Sequence, residues 1–409
     1  MAKINVKNCI TYVFIVLVVL PFFSSNVGIN LGTVKINLSD IIIAIYLIIM
    51  LSKRNSFAQF AKHNKELRWW VCFLLLSILM VPIGLLNGAE LGEEIRLIRN
   101  LLYIIVTYYF LCKNAKWVSI TRMIEITAII SSLDCILRTY FLQSTNNWYQ
   151  FYRANGVLNV FLFTCLVFQI TTGTAKQSIV RLICCVGLGY SAFLSQERTQ
   201  ILTIGITCFI AVVHMILSKK HKISSKSIIL SIIVLVFAII TIGLILRIEF
   251  VKNYVDYYVT YRLSGGKLFH SSGLSNDGSF QARLVQISEV LSNNFNPLYL
   301  FIGRGTCAHY IAAQGDTYIV DSTIIWSFKD FGLVGLVLLV KTFKSMLNSL
   351  RLSDENTRIA IITGGISLIV FSIYNPSFLY TPSAAFAFGL YSYYKYRGIN
   401  NNELLNQLC

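Results

Sequence analysis

The stretch WWVCFLLLSILMVPIGLLN, Trp69 to Asn87, carries no charge, and the chain turns polar immediately after it with Glu90, Glu93 and Glu94. A second apolar run then fills 95–112, with Arg96 and Arg99 near its start. A hydrocarbon core about 30 Å thick takes about 20 apolar residues as a helix. The two runs therefore read as antiparallel membrane-spanning helices joined by a short acidic turn. Inside lipid a backbone must satisfy its own polar groups, and a helix does so within one segment.

Working outward, similar runs occur at 9–28, 37–52, 119–141, 157–173, 179–195, 199–217, 227–247, 323–341, 358–375 and 377–395. Together they predict an all-α, polytopic integral membrane protein with about twelve spans. Composition agrees. Of 409 residues, 56% are hydrophobic and 13% charged, about half the charge of a soluble domain. The run after Lys3 and Lys7 has no small-x-small cleavage site and reads as the first span rather than a signal peptide.

The net charge of +17 raises the question of nucleic acid, but the basic residues do not line one soluble face. They fall in short clusters between apolar runs, as the positive-inside rule expects. With a cytoplasmic N-terminus, seven cytoplasmic segments hold 22 of the 35 basic residues, from Lys3 and Lys7 through Lys53–Arg68 and Lys219–Lys226 to Lys395 and Arg397. Short outer loops hold few. No nucleic-acid partner is expected, membrane lipids are, and both termini are assigned to the cytoplasm. The predicted organisation is a nine-helix membrane domain at 1–247, an extracytoplasmic loop at 248–322, three helices at 323–395 and a cytoplasmic tail at 396–409.

The 248–322 loop is far longer than an ordinary connection. Its charges balance and aromatic residues punctuate it, which reads as folded. Phe280, Leu284, Ile287 and Leu291 recur at helical spacing, predicting an amphipathic helix over Ser279–Asn293. The ten cysteines show no CxxC or Cys/His cluster, and Cys307 alone lies in this loop, so neither a disulfide framework nor a metal site is expected.

Several charges sit near the outer ends of spans: Arg96, Arg99, Asp134, Arg138, Glu197 and Arg198. Arginines there also snorkel to headgroups, and Asp134 with Arg138 has the spacing of an internal helical ion pair. As a set, with Arg283 and Arg304 in the loop, they fit an anion, because guanidinium forks match phosphate and diphosphate oxygens. Arg198-Thr199 opens a helix, where backbone amides add to the cation. The run Ile302-Gly-Arg-Gly305 follows no strand, which excludes a dinucleotide fingerprint. Gly332 and Gly335 read as positions for close helix packing.

Leu194-Ser-Gln-Glu-Arg-Thr199 before a span, the loop helix containing Arg283, Ile302-Gly-Arg-Gly305, Asp321-Ser322 and Gly332-Leu-Val-Gly335 together resemble the O-antigen polymerase and ligase superfamily. Its members are bacterial membrane glycosyltransferases with a GT-C-like helical fold, and the likeness covers mainly residues 190–340. It implies polymerisation of polyprenyl-diphosphate-linked oligosaccharide into O-antigen or capsule at the cytoplasmic membrane. A flippase and a chain-length regulator are the implied partners. By the same resemblance Arg198 and Arg283 hold the diphosphate, with Arg304 in support. Asp321 stands where ligases carry a His-Asn pair, which leans to polymerase, and it is the candidate base. Glu197 is the reserve base, and His309 and Arg262 (with Gly273 in an Arg-x10-Gly spacing) are candidate substrate contacts. No cofactor or metal is implied. Ligase-type transfer to another acceptor and a polysaccharide flippase are the alternatives; no internal repeat of the transporter kind is visible.

Overall fold

The computed structural model describes residues 10–16, 28–31, 34–114, 120–141, 156–170, 174–195, 198–217, 278–293, 295–312, 315–317, 320, 322–347, 355–374 and 381–406. Helices run α1 Leu38–Ser52, α2 Arg54–His63, α3 Lys65–Leu79, α4 Val81–Leu86, α5 Leu91–Asn114, α6 Ile120–Phe141 and α7 Gly156–Val167. They continue as α8 Ala175–Ser195, α9 Arg198–Leu217, α10 Gly278–Asn293, α11 Pro297–Ile302, α12 Thr323–Leu347, α13 Glu355–Tyr374 and α14 Pro382–Asn406. Two small antiparallel hairpins, β1 Gly28–Leu31 with β2 Val34–Asn37 and β3 Tyr310–Ala312 with β4 Gly315–Thr317, are the described departures from an all-α chain.

Most described helices fall on the apolar runs, but among the described residues fewer than twelve reach spanning length. Among the described residues, Lys65–Leu86, Leu91–Asn114 and Thr323–Leu347 are long and apolar enough to cross a membrane. The pair Ser39–Ser52 and Arg54–His63, bent by 91°, makes up to four. Gly156–Val167, Thr199–Ala211 and Arg358–Ile373 are apolar but shorter. The run predicted at 227–247 lies outside the described residues, and Gly28, at the end of the first predicted span, opens a strand instead.

Contacts divide the chain into two compact units, Met1–Ile204 with Gln286–Cys409, and Gly205–Val285. Of the second, the described residues are the later part of α9 and the first part of α10. The first holds the remaining helices, including the end of α10, α11 and the 303–312 segment, which sequence alone puts in a loop.

Within the first unit the usual inside-outside rule is inverted. On α8 Ile179, Leu182, Ile183 and Val186 form an exposed apolar stripe at helical spacing. Polar groups instead lie between helices: Ser131 of α6 donates to Asn159 of α7 at 2.5 Å, and Asn159 donates to Ser191 of α8 at 2.9 Å. A water-facing protein would bury the stripe and expose the amide; a lipid-facing one does the reverse. This is the architecture of a helical membrane protein. α14 is central: from Ala384 to Tyr394 its aromatic and aliphatic side chains are buried. It lies against α5 closely enough that a Cβ on Gly389 would stand 2.8 Å from Thr107.

Polar and charged contacts gather at the helix ends. At one end Lys395 of α14 pairs with Glu66 of α3 at 3.1 Å and donates to the Ser345 carbonyl of α12. Ser392 donates to the same Glu66, and Asn64, the N-cap of α3, donates to the Tyr108 hydroxyl. Lys341 lies over the Trp69 ring at 5.1 Å. These residues border the segments expected in the cytoplasm. Glu94 is 14 residues back along α5 from Tyr108, about 21 Å at 1.5 Å per residue, and belongs to the opposite end.

α12 is broken inside. Gly332 has φ +59° and ψ −151°, a conformation tolerated by glycine and not by residues with a Cβ. The sequence reading of Gly332 as a packing position is thus half right. A Cβ there would meet the Phe301 carbonyl at 2.6 Å and the Gly303 nitrogen at 2.7 Å, so the glycine permits both the break and the approach of another segment. We predict that Gly332→Ala destabilises the protein by at least the backbone strain, about 1–3 kcal/mol. Gly205, whose Cβ would meet nothing within 4 Å, is the control: Gly205→Ala in a helix gains about 0.5–1 kcal/mol. Thermal unfolding of both variants in detergent checks the contrast.

Candidate functional site

The break in α12 organises the site. Carbonyls at the end of the first half-helix lose their partners one turn ahead, and the 303–309 loop supplies donors. Arg304 N–H donates to the Lys329 carbonyl at 2.9 Å, and Gly305 N–H to the Asp330 carbonyl at 3.0 Å. The loop reaches them because Gly303 takes φ +77°; a Cβ there would stand 2.3 Å from the Asp330 carbonyl oxygen. Ile302-Gly-Arg-Gly305 and Gly332-Leu-Val-Gly335, separate motifs in the sequence, are one packed junction in the fold.

The other side of the loop rests on the α3–α4–α5 corner. Thr306 Oγ1 donates to the Ser77 carbonyl at 2.7 Å, and His309 N–H donates to the Asn87 carbonyl at 3.1 Å. Asn87 returns a bond from Nδ2 to the Arg304 carbonyl at 2.8 Å. Beneath lies an aromatic floor of Phe73, Trp326 and Phe331, with ring centroids 5.2–5.8 Å apart.

Six charged or titratable groups converge here. Lys329 and Asp330 are fully buried and paired at 3.0 Å. Lys329 also donates to the Ala308 carbonyl at 2.6 Å, and Asp330 Oδ2 accepts the Cys307 N–H at 2.9 Å. Both charges therefore hold the loop as well as each other. Glu93 Oε2 and His309 Nε2 lie 3.1 Å apart, and the same carboxylate accepts Glu90 N–H. Glu94 is buried beside them. Burial, then the negative charge of Asp330, pushes the Cys307 thiol above its ordinary range, so it stays protonated and inert. Among the described residues no three His, Cys, Asp or Glu side chains are arranged to hold a metal ion.

Arg304 stands at the edge of this cluster. Its Nη1 donates to Asn293 of α10 at 3.1 Å, its guanidinium lies 5.8 Å from the Tyr299 ring centre, and its Nε has no hydrogen-bond partner. Next to it, α11 is apolar with no buried residue. Phe295 is 87% exposed, and Leu298 and Phe301 each 59%. A cation thus borders an exposed apolar surface.

Of the residues singled out from sequence, Arg304 and His309 share this loop. Arg198 is the first residue of α9, as expected of a cation at a helix mouth, and Arg283 lies in α10, which covers Gly278–Asn293 as its spacing predicts. The placement of their side chains lies outside the described residues, as do Glu197, Arg262 and Asp321. Of the apolar residues at helical spacing on α10, Leu284 and Leu291 are exposed, whereas Val290 is buried. Arg99, grouped with the anion-site arginines from sequence, pairs with Asp40 at 3.3 Å. Sequence reasoning missed Lys329 and Asp330, although two charges inside an apolar run are the signal for an intramembrane site.

No protein-family model matches the chain, and no curated protein matches it. The fold and site by themselves define a helical membrane protein with a buried ionic junction at one end of its bundle.

Removing one partner of a buried pair strands the other charge, at about 3–5 kcal/mol. Lys329→Met and Asp330→Asn are each expected to lower stability by that order. The double variant should recover much of the loss. Unfolding of all four proteins in detergent gives the coupling; simple additivity would show that the pair does not hold the junction.

Proposed function

We propose that this chain is a glycosyltransferase that polymerises polyprenyl-diphosphate-linked oligosaccharide into a surface polysaccharide of O-antigen or capsule type. The observation that carries the reading is Arg304 beside the exposed apolar face of α11. A polyprenyl diphosphate is an amphiphile with an anionic head on an aliphatic chain, and that pairing of surfaces fits it. The convergence of the Ile302–Gly305 and Gly332–Gly335 motifs in one junction supports the resemblance, since residues distant in sequence serve one structure. In this reading about twelve spans form a GT-C-like membrane domain, the junction faces away from the cytoplasm and both termini lie inside. A flippase delivers substrate and a chain-length regulator acts with the enzyme.

The chemistry is displacement at an anomeric carbon. The acceptor hydroxyl oxygen forms the new bond while the carbon–oxygen bond to the diphosphate breaks, and the diphosphate leaves with the electron pair. Arg198, Arg283 and Arg304 are assigned to its growing charge, replacing a metal; preorganised cations act most strongly where water is excluded. A base takes the hydroxyl proton. Asp321 is assigned that role or the positioning of the acceptor, with Glu197 in reserve. The Glu93–His309 pair is the acceptor-side contact, a carboxylate orienting an imidazole.

The test is elongation of lipid-linked repeat units by the purified protein in proteoliposomes with chelator present. Arg304→Ala is expected to lower turnover about 100-fold, the scale of one lost charge-stabilising donor, with binding of the lipid-linked donor also weakened. Arg198→Ala and Arg283→Ala should do the same. Undiminished elongation in either would remove the diphosphate assignment, and translocation of the glycan lipid without elongation would favour the flippase.

A further inference from the structure

Glu94 is a carboxylate of the junction that the other interactions described leave unexplained. The side chain is 1% exposed, and neither carboxylate oxygen has a hydrogen-bond partner among the described residues. The described buried carboxylates elsewhere are compensated: Glu66 by Lys395 and Ser392, Asp330 by Lys329 and the Cys307 N–H. Glu94 faces Gly84 instead. A Cβ built on Gly84 would stand 2.3 Å from Glu94 Oε1 and 2.1 Å from the Thr306 carbonyl oxygen. Two acceptor oxygens thus converge on one glycine, which an ionised carboxylate in a buried site would oppose.

The surrounding charges sharpen the problem. Lys329 of α12 already serves Asp330 and the Ala308 carbonyl. Asp330 of α12 and Glu93 of α5 are further acidic groups here, and the imidazole of His309 is engaged with Glu93. The Cys307 thiol is neutral. A further anion here, itself uncompensated, is unfavourable, whereas a carboxylic acid removes the charge and supplies the missing donor.

We propose that Glu94 is a buried proton-binding site: it is carried as a neutral carboxylic acid whose O–H donates to the Thr306 carbonyl, fastening the 303–309 loop to α4 and α5. The proton comes from solvent and no bond other than the O–H is made or broken. Its release would set a carboxylate against the Thr306 carbonyl and loosen the loop that bears Arg304 and His309. The inference does not depend on the glycosyltransferase reading.

Infrared spectroscopy of the full chain in lipid bilayers, with and without carbon-13-labelled glutamate, tests it. At neutral pH a protonated glutamate carboxyl band is expected; it should shift with the label, lose one carboxyl's intensity in Glu94→Gln and persist in Glu93→Gln. Absence of such a band, or unchanged intensity in Glu94→Gln, overturns the proposal. Should Glu94→Gln fail to fold, Glu94→Asp replaces it, and the band should then no longer shift with the glutamate label. The pH dependence of stability has a definite sign. Above the ordinary glutamate range the unfolded chain releases a proton that the folded chain keeps, so folding weakens as pH rises. Relative to Glu94→Gln, the wild type should lose up to about tenfold in folding constant per pH unit until Glu94 itself ionises. Parallel pH profiles for the two proteins would also overturn the proposal.

Discussion

The junction depends on the break in α12. A helix crossing lipid satisfies its backbone internally, and interrupting it frees carbonyls that water cannot reach. At Gly332 those carbonyls are answered by Arg304 N–H and Gly305 N–H, so the broken helix and the 303–309 loop are each complete only in the other's presence. Gly303 and Gly332 make the exchange sterically possible, each placing backbone where a Cβ would collide. The break therefore acts as a receptor for a segment that would otherwise be a free loop.

Buried charge then makes the junction specific. Lys329 and Asp330 pair with one another and each also binds loop backbone, Lys329 at the Ala308 carbonyl and Asp330 at the Cys307 N–H. Burying two ions is expensive unless their remaining donors and acceptors are filled, and the loop fills them. The opposite end of the bundle uses the same device, with Lys395, Glu66 and Ser345 joining α14, α3 and α12. There the pair itself joins two helices, whereas Lys329 and Asp330 are neighbours on α12 and tie the loop to that helix through its backbone.

This arrangement places a lipid-exposed helix and a cation side by side at one end of a rigid scaffold. α11 is too short and too exposed to be stabilised by its own packing; Pro297 and the Asn296 side chain start it, and Gly303 ends it at the junction. Held there, it presents Leu298 and Phe301 outward while Arg304 keeps donor capacity. In the proposed function, that surface is the complement of a ligand with an aliphatic tail and an anionic head.

Much of this was legible in the chain itself. Uncharged runs such as 69–87 have no good environment except lipid or a protein interior, and the spacing of basic clusters assigns the ends of those runs to sides because charge is costly to translocate. The start of α9 at Arg198 and the extent of α10 followed from local spacing and polarity. The number of helices that reach full spanning length did not follow from apolar runs, because a run also fits a short buried helix such as α7. Nor did the roles of Glu94, Lys329 and Asp330: the acidic turn read as solvated loop, and the Lys-Asp pair was hidden in an apolar run. What gives these residues meaning is an approach of backbones far apart in sequence, Gly303 to Asp330 and Gly84 to Thr306. Local composition sets which segments avoid water, since hydration depends on the residue alone; which buried charges find partners depends on contacts that only the tertiary fold creates.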